Sequence, residues 1–459
     1  MKHIDEAKIN SLLKIKATKK DINSILKKTM HLKKLTIEES AKLLSVTDLV
    51  LIKKIYNMAA YVKNAIYGKR IVIFTPLYIS NICSNNCIYC GFAVNNKLTI
   101  RKQLTIPEIK KQTKILLKKG HKRILMVSGE INFSKKNIDY YIDAIKAIYS
   151  VNYKENRIER VNVNLAPMSI NNFKKLKKAH IGTYQIFQET YHEKTYRKFH
   201  IAGTKTDPNN RLNAIDNAFK AGIDDVGIGF LLGLYDHRFE ILAMLMHIEY
   251  LEKTYGLGPH TISIPRIEPA PGSAYASNPR YPITDSEFKK LVAILRLSVP
   301  YTGIIMSTRE TANLRDILVN LGVSQMSAES KVTPGGYEEN SIHNTKLERQ
   351  FSINDHRSLD EVVQSLILQK FIPSFCTACY HKNRTGKYFM NLAKPGKIKH
   401  LCNINALITL KAYLDNFARH KTKIMGYKLI KKYKSEFYTH DLNMLKTLFK
   451  NNKIKDKYI

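Results

Sequence analysis

From residue 71 onward, short β-branched runs alternate with longer amphipathic stretches. The runs at 71–79, 123–128, 160–165, 183–187, 225–229, 261–266, 303–307 and 324–327 have the Val, Ile and aromatic bias of buried parallel strands. Between them, 107–119, 137–150, 169–179, 209–221, 236–255, 284–298 and 312–321 repeat apolar residues at the helical period. Strand then helix, eight times over, is the pattern of a closed parallel barrel, and an open doubly wound sheet is the alternative this pattern leaves open.

The flanks read differently. Residues 1–68 carry helical spacing only: Thr36 and Glu39 form a capping box ahead of Leu43 and Leu44, and Leu51, Ile52 and Ile55 follow. Residues 331–357 are polar and contain Pro334-Gly335-Gly336, which predicts a long loop. A helix is expected over 358–370, with Ser358 as N-cap and Glu361 completing the box, and another over 403–420. The chain therefore divides into an N-terminal helical extension (1–68), an α/β barrel (69–330), a mainly helical C-terminal segment (331–420) and a Lys-rich tail (421–459), helical in part.

With 459 residues, 44% hydrophobic and 25% charged, this is an ordinary globular composition, long enough to bury a full core without disulfides. There is no apolar run of membrane-spanning length. The opening Met1-Lys2-His3-Ile4-Asp5-Glu6 carries acids early and has no apolar core, which argues against a secretory or transit signal and for the cytoplasm. The net charge of +37 raises nucleic-acid or membrane-surface binding as a function. However, the basic residues are spread along the whole chain, and Lys excess accompanies Asn, Ile and Tyr, which reads as compositional bias. No RNA-binding module is recognisable, so neither a nucleic acid nor a membrane is expected as a partner.

The six cysteines fall into two groups of three, an arrangement that suits metal ligation better than a disulfide framework. Cys83, Cys87 and Cys90 follow the first strand in a C-x3-C-x2-C run, which places them at the C-terminal face of a barrel. Three thiolates hold three corners of an iron–sulfur cube and leave the fourth iron open. A closed zinc site needs four ligands, and no fourth Cys or His lies nearby. Cys376, Cys379 and Cys402 form a C-x2-C-x22-C group. Its spacing admits either a second cluster or a Cys3His zinc site with His381 or His400. His260 opens the sixth strand, so it belongs at the barrel end opposite Cys83. A lone His is more often a core residue than a ligand. Glu189, Arg266 and Arg309 sit at or just past strand ends, where arginines clamp carboxylates and acids hold ammonium groups. Ordinary rim salt bridges are the competing reading.

The first cysteine run, with aromatic Tyr89 before its last Cys, resembles the radical S-adenosylmethionine family. The resemblance implies that Cys83, Cys87 and Cys90 bind a 4Fe–4S cluster whose free iron chelates S-adenosylmethionine for one-electron cleavage to methionine and a 5′-deoxyadenosyl radical. Val127-Ser128-Gly129-Glu130 resembles that family's Gly-Gly-Glu motif, with Ser128 departing from Gly. It implies that Ser128, Gly129 and Glu130 contact the cofactor, along with Tyr89, Glu189 and Arg309.

The second group, with Arg384-Thr385-Gly386 and Ala393-Lys394-Pro395-Gly396 inside it, resembles the HydG family of tyrosine-cleaving FeFe-hydrogenase maturases. Segments 187–191 and 258–266 are similar to ones shared by that family and the thiamine-pathway tyrosine lyases (ThiH), and 351–358 is also ThiH-like. ThiH lacks the cysteine tail. The HydG resemblance implies that Cys376, Cys379 and Cys402 hold an auxiliary 4Fe–4S cluster, and that His260 ligates an additional iron attached to it. It further implies that Glu189, Arg266 and Arg309 serve catalysis with the first three cysteines. The implied activity is cleavage of L-tyrosine to p-cresol and dehydroglycine, then formation of carbon monoxide and cyanide for the FeFe-hydrogenase active site. The implied partners are a ferredoxin or flavodoxin as electron donor and other FeFe-hydrogenase maturation proteins. A 2-iminoacetate synthase, which stops at dehydroglycine, is the alternative.

Overall fold

The computed structural model describes residues 1–133, 138–338 and 345–434. Eight parallel strands follow one another around a closed ring: β1 (Arg70–Ser80), β2 (Arg123–Ser128), β3 (Arg160–Asn164), β4 (Tyr184–Glu189), β5 (Val226–Phe230), β6 (Thr261–Ser263), β7 (Gly303–Met306) and β8 (Gln325–Ser327). Closure comes from β8 pairing back onto β1, with Val72 opposite Gln325 and Phe74 opposite Ser327. This decides for the barrel over the open sheet.

β1 shows why the strands read as unbroken apolar runs: all of it is buried. Ile71, Ile73, Leu77 and Ile79 point outward into the core beneath the helices. Arg70, Val72, Phe74, Pro76 and Tyr78 alternate with them and line the interior. β6 stops at Ser263, three residues before its expected end. Its continuation includes Pro265, which has no N–H to donate. Pairing resumes only as an isolated bridge between Leu232 and Arg266.

The intervening helices start where their caps dictate. Thr105 with Glu108 and Thr284 with Glu287 form full capping boxes, and Pro208 follows the cap Asp207 at the first helical position. The expected boxes at Thr36–Glu39 and Ser358–Glu361 form as well. The N-terminal extension folds as four helices, Glu6–Leu12, Lys19–Met30, Ile37–Leu44 and Leu49–Tyr67. The last of these packs on the barrel helices Asp285–Ser298 and Ala312–Leu321.

The C-terminal segment adds an element not anticipated from sequence. β9 (Ile372–Ser374) pairs in parallel with the start of β1, over Arg70–Val72. It follows the helix Leu359–Leu368 and leads into helices Ala378–His381, Gly386–Ala393 and Ile398–Asn416. The helix expected over 403–420 thus begins earlier. Helix His420–Lys434 covers the first part of the basic tail, and 435–459 lie outside the described residues, as does residue 137 of the helix expected over 137–150. No described helix is long and apolar enough to cross a membrane.

Candidate active site

The loops after the C-terminal strand ends line a pocket of about 1350 Å³ that opens to solvent. Cys83, Cys87 and Cys90 line one wall. Their loop leaves β1, and the segment after β2 pins it: Ser84 N–H donates to Glu130 O at 2.8 Å, and Gly129 N–H donates to Ser80 O at 2.8 Å. A Cβ on Gly129 would lie 2.3 Å from Ile82 O, so only glycine permits this approach. Asn86–Cys87 pairs antiparallel with His200–Ala202, and Tyr89 OH shares a hydrogen bond with His200 Nε2 at 2.8 Å.

The sulfurs meet hydrogen-bond donors: Asn85 N–H at 3.5 Å from Cys83 Sγ, and Phe92 N–H at 3.4 Å and Gln350 Nε2 at 3.8 Å from Cys90 Sγ. Burial, helped by the neighbouring Glu130 and Cys90, pushes the Cys83 thiol up to about 11, and burial raises Cys87 and Cys90 as well. Thiols so placed become thiolates when a metal displaces their protons.

Beside the cysteines lies a charge quartet, with Lys205 and Arg211 buried and Glu130 and Glu189 half-buried. Glu130 accepts from Arg211 Nη1 and from Asn85 Nδ2, the latter at 3.0 Å. Glu189 accepts from Lys205 Nζ at 2.7 Å, and Arg211 Nη2 stands 3.6 Å from it. Glu189 ends β4 at a register shift and has φ +70°. A non-glycine residue held in the left-handed region is strain of the kind that collects at functional sites. Burial raises the Glu130 pKa, and Arg211 and Lys205 more than offset it, holding the carboxyl below its usual range.

Of the loop expected over 331–357, residues 339–344 lie outside the described residues; the part from 349 to 354 roofs the cavity. Gly91 N–H donates to Gln350 O at 3.1 Å, and Tyr78 OH donates to Gln350 Oε1 at 2.8 Å. Phe351 lies under the Arg309 guanidinium at 3.4 Å. Asn354 Nδ2 donates to Arg309 O at 2.6 Å.

Among the residues singled out from sequence, Cys83, Cys87, Tyr89, Cys90, Ser128, Gly129, Glu130, Glu189 and Arg309 all line this cavity. Arg266 does not. Its guanidinium turns to Glu310 (Nε to Oε2, 2.9 Å), Asp285 (2.8 Å) and Ile283 O (3.0 Å), the rim salt bridge of the competing reading. Sequence reasoning missed Lys205, Arg211, Asn85 and Gln350. Arg211 carried a signal: it occupies a core-facing position beside Pro208, Leu212 and Ile215 on an amphipathic helix.

At the other end of the barrel, Cys376, Cys379 and Cys402 line a second cavity of about 520 Å³ with His260, Arg70, Arg123 and Asp225. β9 delivers Cys376 beside the start of β1, and Arg123 Nη1 donates to Cys376 O at 2.9 Å. Ala378 N–H meets Cys376 Sγ at 3.3 Å. Among the described residues, Arg70 Nε and Nη1, Arg123 Nε and Asp225 Oδ1 are buried without hydrogen-bond partners. Orphaned guanidinium nitrogens around three thiols fit an anionic metal–sulfide group. Among the described residues no three His, Cys, Asp or Glu side chains converge on one metal ion. His381 faces Glu159 at 3.2 Å and His400 is exposed, so neither completes a zinc site here.

Residues 77–247 match the Radical SAM superfamily, and residues 263–371 match the Biotin and Thiamin Synthesis associated domain. A crystal structure of HydG, a maturase of the FeFe-hydrogenase, superposes with a TM-score of 0.95 at 43% identity, covering 100% of both chains. The chain belongs to the HydG family. HydG from Carboxydothermus hydrogenoformans is similar at a TM-score of 0.81, with 41% identity over 94% of each chain. The 2-iminoacetate synthase of Salmonella typhimurium is 32% identical over 67% of this chain and 78% of its own length. As a HydG-family member with a radical SAM barrel, the chain is an enzyme that uses a 4Fe–4S cluster and S-adenosylmethionine.

Proposed function

We propose that this HydG-family enzyme is a carbon–carbon lyase that splits L-tyrosine into p-cresol and dehydroglycine at the upper cavity, and converts dehydroglycine to carbon monoxide and cyanide at the lower one. Cys83, Cys87 and Cys90 would hold the first cluster, which supplies the electron that cleaves S-adenosylmethionine to methionine and a 5′-deoxyadenosyl radical. Glu130 and Glu189 are acceptors for the ammonium groups of cofactor and substrate; Arg211, Lys205 and Arg309 are donors for their carboxylates. Ligand entry trades the present ion pairs for ligand contacts without baring a buried charge. Phe351, Val332 and Leu231 are apolar lining, which keeps a reactive fragment from water.

Cys376, Cys379 and Cys402 would hold the auxiliary cluster, and His260 the additional iron. Burial keeps the His260 imidazole below its usual pKa, favouring the neutral, ligating form. The reading is carried by one observation: two three-cysteine cavities lie at opposite ends of a single barrel interior. Alternate residues of the same strands serve both: Arg70 and Val72 the lower, Phe74, Pro76 and Tyr78 the upper; Arg123 the lower, Leu125 and Val127 the upper. The two cavities thus share the same strands, so a small product made at one end would travel along the barrel interior to reach the other.

The test is anaerobic turnover with tyrosine and a reductant. A Cys376→Ser, Cys379→Ser double variant should still release p-cresol and lose carbon monoxide. If it makes carbon monoxide as well as the parent does, the two-site scheme is wrong. The likeness to 2-iminoacetate synthases favours a second reading that ends at dehydroglycine; in that case the parent itself makes no carbon monoxide.

A further inference from the structure

Glu189 reaches the upper cavity from a bend that an ordinary strand end does not make. Phe187 pairs with Gly229 and Glu189 with Phe230, so β4 carries one extra residue here, and Glu189 itself takes φ +70°. Gln185, Phe187 and Glu189 line the cavity. At Glu189 the chain turns out of the barrel while the carboxylate stays inside, 2.7 Å from Lys205 Nζ. A left-handed residue other than glycine persists only where its surroundings over-determine it. Leu231 N–H donates to the Glu189 carbonyl at 2.8 Å, which fixes one side of the bend. Glu240 fixes the other side from outside the ring.

Glu240 lies in the first turn of the helix His237–Tyr255 and is fully buried. Its Oε1 accepts from Thr190 Oγ1, and its Oε2 accepts from Tyr191 N–H at 2.8 Å. Thr190 and Tyr191 are the two residues after Glu189, and both are fully buried. The Thr190 hydroxyl in turn accepts from His192 N–H at 3.2 Å. Further along the same helix, His247 Nδ1 meets the Tyr191 hydroxyl at 3.0 Å, so the helix grips Tyr191 at both ends. The charged groups that bear on the Glu240 carboxyl, Asp236 and Glu6, are both acids. A carboxyl buried without a counter-cation is costly, and both oxygens of this one serve the bend behind Glu189.

We propose that Glu240 is a positioning residue for the upper site: its carboxyl locks the bend at Glu189 and so holds the Glu189 carboxylate where a ligand's ammonium group arrives. It acts through Thr190 and Tyr191. The inference rests on the reading that Glu189 is an acceptor for such a group. A relaxed bend would let the Glu189 side chain swing away from Lys205 and from the ligand.

The test is a double-variant cycle read as ligand affinity. S-adenosylmethionine, and tyrosine in its presence, are titrated by calorimetry into anaerobic cluster-loaded protein without reductant, so that nothing turns over. Glu240→Leu removes both acceptor oxygens and should weaken the ligand that Glu189 serves about tenfold. Glu240→Gln keeps an acceptor for Tyr191 N–H and a polar partner for Thr190, and should stay within about threefold of the parent. In a Glu189→Gln background, Glu240→Leu should change affinity by less than about twofold, because the carboxylate it positions is gone. Thr190→Val removes the hydroxyl contact alone. It should weaken binding about threefold with Glu189 in place and by less than about twofold in the Glu189→Gln background. If the leucine variant does not fold, the valine variant decides by the same comparison. Equal losses in both backgrounds overturn the positioning role, as does a glutamine variant as weak as the leucine one, or undiminished affinity where Glu189 is intact. A parent that binds neither ligand overturns the functional reading, and the proposal falls with it.

Discussion

Arg211 donates through one nitrogen, Nη1, to both carboxylate oxygens of Glu130, at 2.7 and 2.9 Å, while its Nε holds the Phe187 carbonyl at 2.7 Å. One guanidinium therefore ties the loop after β2 to the end of β4, and it is almost fully buried while doing so. Removing it leaves two carboxylates, Glu130 and Glu189, sharing the single charge of Lys205, with Asn85 still donating to Glu130. We expect Arg211→Gln to cost about 3–5 kcal/mol of unfolding free energy, the usual penalty for stranding a buried charge. The Glu130 pKa lies below its unfolded value of 4.5, so its share of stability is present above that pH and is lost as pH falls through the lower folded value. Denaturant unfolding at several pH values checks both points: Arg211→Gln should be less stable at neutral pH and should lose less on acidification.

This pair also shows what a sequence conceals. Strands such as β1 and β5 were legible because both their faces are buried, β3 because its valines alternate with polar residues, and the cysteine groups because ligand spacing is local. Lys205 and Arg211 were two basic residues among 75, and only the tertiary fold aims them at Glu130 and Glu189. Arg266 failed in the opposite way. Its position past β6 was right, but Asp285 and Glu310 draw its side chain outward. β9, three residues long with Pro373 at its centre, has neither the length nor the alternation to be read as a strand.

Gly129 gives a second prediction. A methyl group there would meet backbone, 2.3 Å from Ile82 O and 2.9 Å from Ile82 C, and Ile82 immediately precedes Cys83. Backbone cannot rotate away as a side-chain tip does. Gly129→Ala is expected to cost about 1–3 kcal/mol as overpacking and to shift Cys83. Iron and sulfide analysis should show reduced loading at the first site with the second retained. Full loading of both would show that the loop absorbs the methyl group.

His260 gives a third. Its ring packs against Phe389 at 4.4 Å between centroids, so an alanine leaves a modest cavity rather than a bare charge. We expect His260→Ala to lose about 1–2 kcal/mol. It should keep p-cresol release near the parent rate, lose carbon monoxide, and bind less iron. Retained carbon monoxide with unchanged iron would remove His260 from the lower site.

Glu240 gives the last. It accepts from Thr190 Oγ1 and, at 2.8 Å, from Tyr191 N–H, the two residues that follow the positive-φ Glu189. Burial dominates and pushes its pKa up to about 8, against 4.5 in an unfolded chain. Between those values the folded protein binds the extra proton, so this group makes stability fall as pH rises, and the fall ends above pH 8. His121 and His247, lowered by burial to about 4, act in the opposite sense up to their unfolded value of 6.5. The window from 6.5 to 8 is clear of these two histidines, and the share of Glu240 there is a loss of about 2 kcal/mol. Lys63, fully buried and lowered well below its usual value, acts in the opposite sense across the same window, so the difference between parent and variant is what reports Glu240. Glu240→Gln keeps the shape, accepts from Tyr191 N–H and cannot ionise. Urea unfolding of metal-free protein across that window should show the parent losing about 2 kcal/mol relative to the variant. Parallel slopes would mean that Glu240 is ionised in the fold, held by Thr190 and Tyr191 strongly enough to offset its burial.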